Sequence, residues 1–282
     1  MRFVTFEAHG GAPEPGVVIN DSVAGLRAAG YADLLAVIAG GEAARTIIES
    51  GLDDLPRTPL AAVRLRAPIP RPPKIICVGL NYRDHAAETK AKLPSVPTIF
   101  TKFPTAVIGP GDNIVLPKAS GKPDYEAELA FTIGRGGRYI GAERWREHVF
   151  GYMNFNDVSA RDYQMAASQW TMGKSFDTFA PMGPWIVSTD EIADPHALDI
   201  RCTVSGEVLQ SSNTGQMIFR IPELIAFLSS VFTLEPGDVV ATGTPSGVGF
   251  VRTPPRYLRA GDEVVVVITG LGELRNPVVA EI

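Results

Sequence analysis

Long apolar runs are missing from this chain of 282 residues. None approaches the ~20 residues that a membrane-spanning helix needs, so a helical membrane protein is not expected. The opening residues, MRFVTFEAHGG, show no apolar signal-peptide core, and a cytoplasmic protein is the expectation. Positive charge is also in short supply. The 26 Lys and Arg residues against 31 Asp and Glu give a formal net charge of −5, and no basic run offsets it, which argues against a nucleic-acid binder. Cysteine is nearly absent: Cys77 and Cys202 each lie in an apolar or strand-like run, so buried free thiols are expected in place of a disulfide. Two nucleotide signatures are absent as well. GRGGRYIG has Tyr139 where a dinucleotide fingerprint needs its third glycine, and GTPSGVG lacks the Lys–Ser/Thr pair of a phosphate loop.

What is present suits a soluble globular protein with a sizeable core: 45% of residues are apolar and 20% charged. RFVTFEA and PGVVIND read as a strand pair joined by a Gly/Pro turn. YADLLAVIAG and GEAARTIIESG read as two short helices, each ended by glycine. LRAPIPRPPK is too rich in proline for a helix and reads as an extended connection. This organisation predicts a small N-terminal domain over residues 1–68 and a larger domain over 69–282. In the larger part strands dominate, among them PTIFTKF, DNIVLP, DYEAELAFTIG, GPWIVS, DIRCTVSG, GDVVATG and DEVVVVIT, with few helices such as IPELIAFLSSVF. The fold class expected is α+β, predominantly β.

Chemistry-bearing residues cluster in a few stretches. In GKPDYEAELAFTIG, Tyr125, Ala127, Leu129, Phe131 and Ile133 alternate with Glu126, Glu128, Ala130 and Thr132, the period of a strand with one buried face. The two glutamates then share a face with Cα atoms roughly 7 Å apart. On a solvent face they are ordinary charge; in a cleft they need a counterion, and a hard divalent cation suits them. Asp157, after an aromatic-rich strand, is either a helix cap or a third oxygen ligand. Three carboxylates without a nearby His or Cys would select Mg²⁺ or Mn²⁺ over Zn²⁺.

In VGLNYRDHAAE, Asn81 is placed to cap a helix with Asp84 in the capping-box slot, and His85 and Glu88 fall at i and i+3 on one face. A carboxylate beside an imidazole raises its basicity, as a general base acting on water requires, but surface His–Glu pairs of this spacing are common. Lys174, in TMGKSFDTFAPMGPW, is either a solvated loop charge or a cation steadying an enolate or carboxylate beside a metal. The Gly-rich ATGTPSGVGF offers hydroxyls and backbone N–H groups to an anion, or merely turns. His9, His148 and His196 stand isolated.

Taken in order, VGLNYRDHAAE, PDYEAELA, NDVSARDYQ, GKSFDTFAPMGPW and TGTPSGVG resemble the motif set of the fumarylacetoacetate hydrolase superfamily, over about Ile69 to Ile282. The N-terminal part also resembles the small domain that precedes it in many bacterial members. The resemblance implies that family's mixed β-sandwich or roll and a homodimer. It implies Glu126, Glu128 and Asp157 as ligands of Mg²⁺ or Mn²⁺, and His85 with Glu88 as a catalytic dyad on a lid helix. Lys174 matches a lysine beside the metal, Gln164 a glutamine near the reacting group, and Thr244 a threonine contacting the substrate carboxylate; Lys102 aligns with a further family lysine. Leu80 stands where some relatives have arginine and Arg83 where they have alanine. Both flank the dyad, where they bear on the acyl tail accepted. The segment between Gln164 and Lys174 is shorter than in some relatives. The implied reaction is metal-dependent hydrolysis of a C–C bond in a 2,4-dioxo acid such as fumarylpyruvate or maleylpyruvate, giving pyruvate and an acid. Decarboxylation of a 2-oxo acid such as oxaloacetate, or isomerisation, is the alternative, and a silent small-acid binder is the non-enzyme reading.

Overall fold

The strand that carries the paired glutamates is buried on both faces. Every residue of Ala127–Ile133 is buried, where alternation indicated one buried face and left the other open between solvent and a cleft. Ala127, Leu129, Phe131 and Ile133 enter one core with Ile200, Cys202, Val264 and Val266. Ala130 enters another with Leu34, Val37 and Ile38. The strand is therefore the middle layer between a second sheet and the N-terminal helix, and the small residues of its polar face leave room for that second packing. The structure is a computed structural model that describes residues 1–8 and 10–282. His9, read as isolated, lies outside the described residues.

A 12-stranded sheet forms the spine. Ten of its strands run in the order Arg57–Pro59, Ser22–Gly25, Glu14–Ile19, Arg2–Ala8, Ala180–Ser188, Val149–Asn156, Ala127–Ile133, Val239–Ala241, Ile75–Gly79 and Thr98–Lys102, while Val63–Arg66 pairs with Arg2–Ala8 and Val107–Ile108 with Ala180–Ser188 off this path. Arg2–Ala8 pairs antiparallel with Glu14–Ile19, as the turn between them indicates, and also with Ala180–Ser188 through Arg2↔Val187 and Phe3↔Ile186. The N-terminal strands thus extend the main sheet edge to edge. A five-stranded sheet, Glu207–Asn213, Asp199–Val204, Glu263–Ile268, Gly272–Ala280 and Ile114–Leu116, packs over the face that bears Leu129 and Phe131. Two of its strands are hidden in the pattern. Glu207–Asn213 is a largely polar edge, and Gly272–Ala280 contains Pro277, which stands at the end of its ladder opposite Glu263.

The N-terminal helical span is Leu34–Gly51, broken at Gly41, whose φ of 55° only glycine adopts cheaply. The two helices separated by glycine are thus two arms of one bent element. Asp33 starts it by accepting the Ala36 N–H at 2.8 Å. Leu34, Val37, Ile38 and Ile48 are buried, each contributing about 1.5–3 kcal/mol on removal from water. Both cysteines are buried free thiols. Among the described residues no helix is long and apolar enough to cross a membrane.

Candidate active site

Strand register builds the acid cluster. Glu126 leads into Ala127–Ile133, Glu128 lies in it, and Asp157 follows the neighbouring Val149–Asn156, with Ala127 opposite Asn156. The Asp157 N–H donates to the Glu126 carbonyl at 2.9 Å, which fixes the third carboxylate beside the other two. One oxygen from each of Glu126, Glu128 and Asp157 lies within 4.8 Å of the others, and all three residues are buried. The cap reading of Asp157 fails, because the next helix, Arg161–Gln164, starts from Ala160.

Three cationic side chains surround this cluster. Lys174 Nζ donates to Glu126 Oε2 at 2.7 Å and Asp157 Oδ2 at 2.6 Å. Lys102 Nζ donates to Asp157 Oδ1 at 2.5 Å and to the Val158 carbonyl at 3.0 Å, beneath the cluster. Arg161 Nη1 lies 2.6 Å from Glu126 Oε1, and its Nε donates to buried Asp124 at 2.8 Å. Burial pushes the Glu126 carboxyl up, but Lys174 and Arg161 outweigh it and hold the group below the usual range. Burial lowers Lys102; at Lys174 the charges of Asp157 and Glu126 outweigh burial and raise it.

Glu128 differs. Among the described residues its carboxyl accepts one hydrogen bond, from Gly243 N at 2.8 Å, and no cationic side chain reaches it. Burial, followed by the charges of Asp157 and Glu126, pushes it well above its ordinary value. Among the described residues, the buried carboxylates Asp124, Glu126 and Asp157 form direct ion pairs with Lys102, Arg161 and Lys174, and Glu128 forms none, leaving one carboxylate unbalanced. An oxygen-only donor set with surplus negative charge fits a hard divalent cation.

The dyad closes over the same space. His85 Nδ1 lies 3.1 Å from Glu88 Oε2, while Glu88 Oε1 accepts from Gly247 N at 2.8 Å. His85 is 9% exposed and lines the cavity, so the surface-pair reading does not hold. The cap predicted at Asn81 is absent: the helix Arg83–Glu88 begins from Tyr82 without a side-chain cap. Asn81 is fully buried and gives its amide to Phe219 O and Thr242 O, accepting from Phe219 N, so none of it is free to cap. Asp84 instead accepts from His85 N at 2.8 Å and Ser212 Oγ at 2.5 Å, tying this helix to the second sheet.

The Gly-rich loop does bind anions, and they are the protein's own. Gly243 N holds Glu128, Gly247 N holds Glu88, and Gly249 N and Phe250 N hold Asp124. Gly243 has φ 100°, and a Cβ there would meet Asn81 Cβ at 2.8 Å.

These groups frame a cavity of about 420 Å³ lined by His85, Glu126, Glu128, Arg161, Gln164, Lys174 and Thr244, with Leu80, Phe100, Met165, Trp170 and Phe250 as apolar wall. Gln164 Oε1 accepts from Arg161 Nη1 at 2.8 Å. The Thr244 hydroxyl donates to Ala127 O and accepts from Gln210, so its proton is already committed. Arg83 is exposed on the outer face of its helix and does not line the cavity. A larger cavity of about 530 Å³, beside Phe3, Val37 and Arg45, contains none of this chemistry. His148 and His196 sit elsewhere, His148 beside the Arg135 carbonyl and His196 accepting from Ile221 N. Sequence reasoning missed Arg161 and Asp124. Their signal was weak: an arginine four positions after Asp157, and an aspartate two before Glu126.

Comparison with known proteins agrees with this geometry. Residues 74–279 match the family described as "Fumarylacetoacetate (FAA) hydrolase C-terminal". The chain is 50% identical over 242 residues, 85% of its length and 77% of the other's, to "Oxaloacetate tautomerase FAHD2A, mitochondrial" of Bos taurus. A maleylpyruvate hydrolase from Sphingobium sp. SYK-6, solved with manganese (II) ion and pyruvate, superposes with a TM-score of 0.86 at 36% identity, covering 100% of both chains. A 2-hydroxyhepta-2,4-diene-1,7-dioate isomerase from Mycobacterium marinum gives 0.79 at 34% identity, covering 100% of this chain and 99% of that one. The resemblance of the motif set, the strand-rich mixed fold and the family match converge: the chain belongs to the fumarylacetoacetate hydrolase family.

Proposed function

We propose that this chain is a divalent-metal-dependent enzyme acting on small 2-oxo acids, and that its reaction is enol–keto tautomerisation of oxaloacetate. The observation that carries the reading is the meeting, at one cavity, of the carboxylate triad, whose Glu126 and Glu128 line it, with an imidazole base held by Glu88. The 50% identity to an oxaloacetate tautomerase supports it over C–C hydrolysis, the reaction the motifs first suggested.

Glu126, Glu128 and Asp157 would hold the cation, Mg²⁺ or Mn²⁺. When bound, such an ion supplies Lewis-acid polarisation of the 2-oxo group. Conversion of enol to keto moves one proton: the C2 hydroxyl loses it and C3 gains one. His85 is the proton carrier. Glu88, with one oxygen pinned by Gly247, holds the imidazole Nδ1 and leaves Nε2 for the substrate. Lys174 and Arg161, both buried, offset negative charge as it develops on the substrate oxygens. Gln164 and the apolar wall line the rest of the cavity beside these groups.

A second reading has its own support in the full-length likeness to a maleylpyruvate hydrolase with manganese (II) and pyruvate. There His85 would take a proton from water, a C–O bond would form at the distal carbonyl and the C3–C4 bond would break. Its electron pair would remain on C3 and accept the proton. A homodimer is part of this proposal and is checked by light scattering.

The test follows the ultraviolet absorbance of enol-oxaloacetate with Mn²⁺, Mg²⁺ or chelator, with pyruvate and carbon dioxide measured in parallel. Metal-dependent loss of enol without pyruvate is the expected result. Pyruvate plus acid from maleylpyruvate, with no effect on oxaloacetate, would install the hydrolase. Pyruvate plus carbon dioxide would make it a decarboxylase, and no turnover with metal bound would make it a binder.

A further inference from the structure

The helix Arg83–Glu88, which carries the dyad, has six residues and is too short to hold its own place. Its position is set from outside. Asp84 Oδ1 accepts from His85 N at 2.8 Å, while Oδ2 accepts from Ser212 Oγ at 2.5 Å and from Ser246 Oγ at 3.3 Å. Ser246 belongs to the Gly-rich loop, and Ser212 to Glu207–Asn213, the polar edge strand of the second sheet. Gln210 stands two residues before Ser212 in an unbroken stretch of the ladder, so both side chains share one face of that strand. Gln210 is fully buried. Its Oε1 accepts from Ala127 N at 2.9 Å, and its Nε2 donates to Thr244 Oγ1 at 2.8 Å and to Pro245 O at 3.0 Å. Ala127 is the residue between Glu126 and Glu128. One face of one edge strand therefore touches both halves of the site. Gln210 grips the backbone between two carboxylates of the triad, and Ser212 reaches the backbone amide of the base through Asp84.

We propose that Asp84 and Ser212 are positioning residues that latch His85 at a fixed place over the carboxylate triad, with Glu207–Asn213 as the rigid span between base and triad. The proposal rests on the function inferred above and adds how its proton carrier is held in register with the metal site. Neither Asp84 nor Ser212 lines the cavity, so each acts through His85. A charged acceptor shared by hydroxyls from two separate elements is a strong and directional tie. It also accounts for the polar residues on a strand whose neighbours in the sheet are largely apolar.

Asp84→Ala, Ser212→Ala, the double variant and Asp84→Asn are assayed with Mn²⁺ and whichever of oxaloacetate and maleylpyruvate the wild-type protein turns over, and Mn²⁺ affinity is measured by calorimetry. Misplacing a base by about 1 Å costs on the order of 10²-fold, so Asp84→Ala should lower kcat by about that factor with Mn²⁺ affinity within about twofold. Ser212→Ala should lower kcat about tenfold, and the double variant should be no slower than Asp84→Ala, because Ser212 acts only through that carboxylate. Asp84→Asn should stay within about threefold of wild type, since its amide oxygen still accepts His85 N and the serine hydroxyls rotate to accept from its nitrogen. Losses that multiply in the double variant, wild-type kcat in Ser212→Ala, or Asp84→Asn as slow as Asp84→Ala each overturn the latch. If Asp84→Ala no longer binds Mn²⁺, Ser212→Ala and Asp84→Asn decide by the same values. Should the wild-type protein turn over neither acid, the functional reading falls. The latch is then read alone from hydrogen exchange of the amides between Arg83 and Thr89, which Ser212→Ala should speed about tenfold with Mn²⁺ affinity kept, and an unchanged rate sinks it.

Discussion

Replacing Glu128 by Gln should make the metal-free protein more stable and deprive it of its metal response. Glu128 is 1% exposed, has no cationic partner within ion-pair distance among the described residues, and faces Asp157 and Glu126. Gln keeps the volume and an acceptor for Gly243 N while removing the charge. Neutralising a buried, unbalanced charge stabilises by about 1–3 kcal/mol. For 282 residues the unfolding entropy is about 0.6 kcal/mol/K, so Tm in chelator should rise by roughly 2–5 °C. The sign with pH follows from the raised folded value. Ionised Glu128 costs nothing below the ordinary carboxylate value and costs progressively more as pH climbs through the higher folded one. The advantage of Glu128→Gln should therefore grow with pH. Wild-type protein at a Mn²⁺ concentration of about 100 Kd should gain about 2.7 kcal/mol, or roughly 4–5 °C, and the variant none. Differential scanning calorimetry with chelator and with Mn²⁺, at two pH values, measures all of this. A lower Tm for Glu128→Gln in chelator, or a wild-type metal shift in the variant, would refute the placement of Glu128 as the unbalanced ligand.

Three further outcomes follow from the same geometry. His85→Ala should lower kcat by about 10²–10⁴-fold while Mn²⁺ affinity by calorimetry is retained; full activity would remove the dyad from the chemistry. Asn81→Ala strands the Phe219 and Thr242 carbonyls and the Phe219 N–H. Urea unfolding should show a loss of about 2–4 kcal/mol, and a change within noise would contradict its role as a staple. His196 is pushed below its ordinary value first by burial, and its Nε2 accepts the Ile221 N–H at the start of Ile221–Val231. Its stabilisation is present above about pH 6.5 and is lost as pH falls through that value towards the folded one. His196→Gln should flatten that part of the stability–pH curve.

Local pattern carried much of this protein. Period-two alternation located Ala127–Ile133 and put Glu126 and Glu128 on one face, because side-chain direction along a strand is a property of the backbone. Glycine marked the break in Leu34–Gly51, because Gly41 adopts a conformation other residues avoid. Ordered motifs identified the family. The missed features are long-range. Nothing near Asn81 indicates that Phe219 and Thr242 will consume its amide, so local capping chemistry was the wrong competitor. Arg161 became part of the site only when Asp124 and Glu126 arrived from a strand pairing more than thirty residues away in sequence.

The sequence by itself determined which residues could do chemistry: three carboxylates, a His–Glu pair and lysines in a fixed order, since donor type and local spacing are written residue by residue. Only the tertiary structure decided which of them share a cavity. Sheet register set Asp157 beside Glu126, burial on both faces turned surface-like glutamates into a charge cluster, and backbone N–H groups of a distant glycine loop were spent on Glu128, Glu88 and Asp124. Charge balance and desolvation are sums over everything packed nearby, and no local stretch of sequence contains that sum.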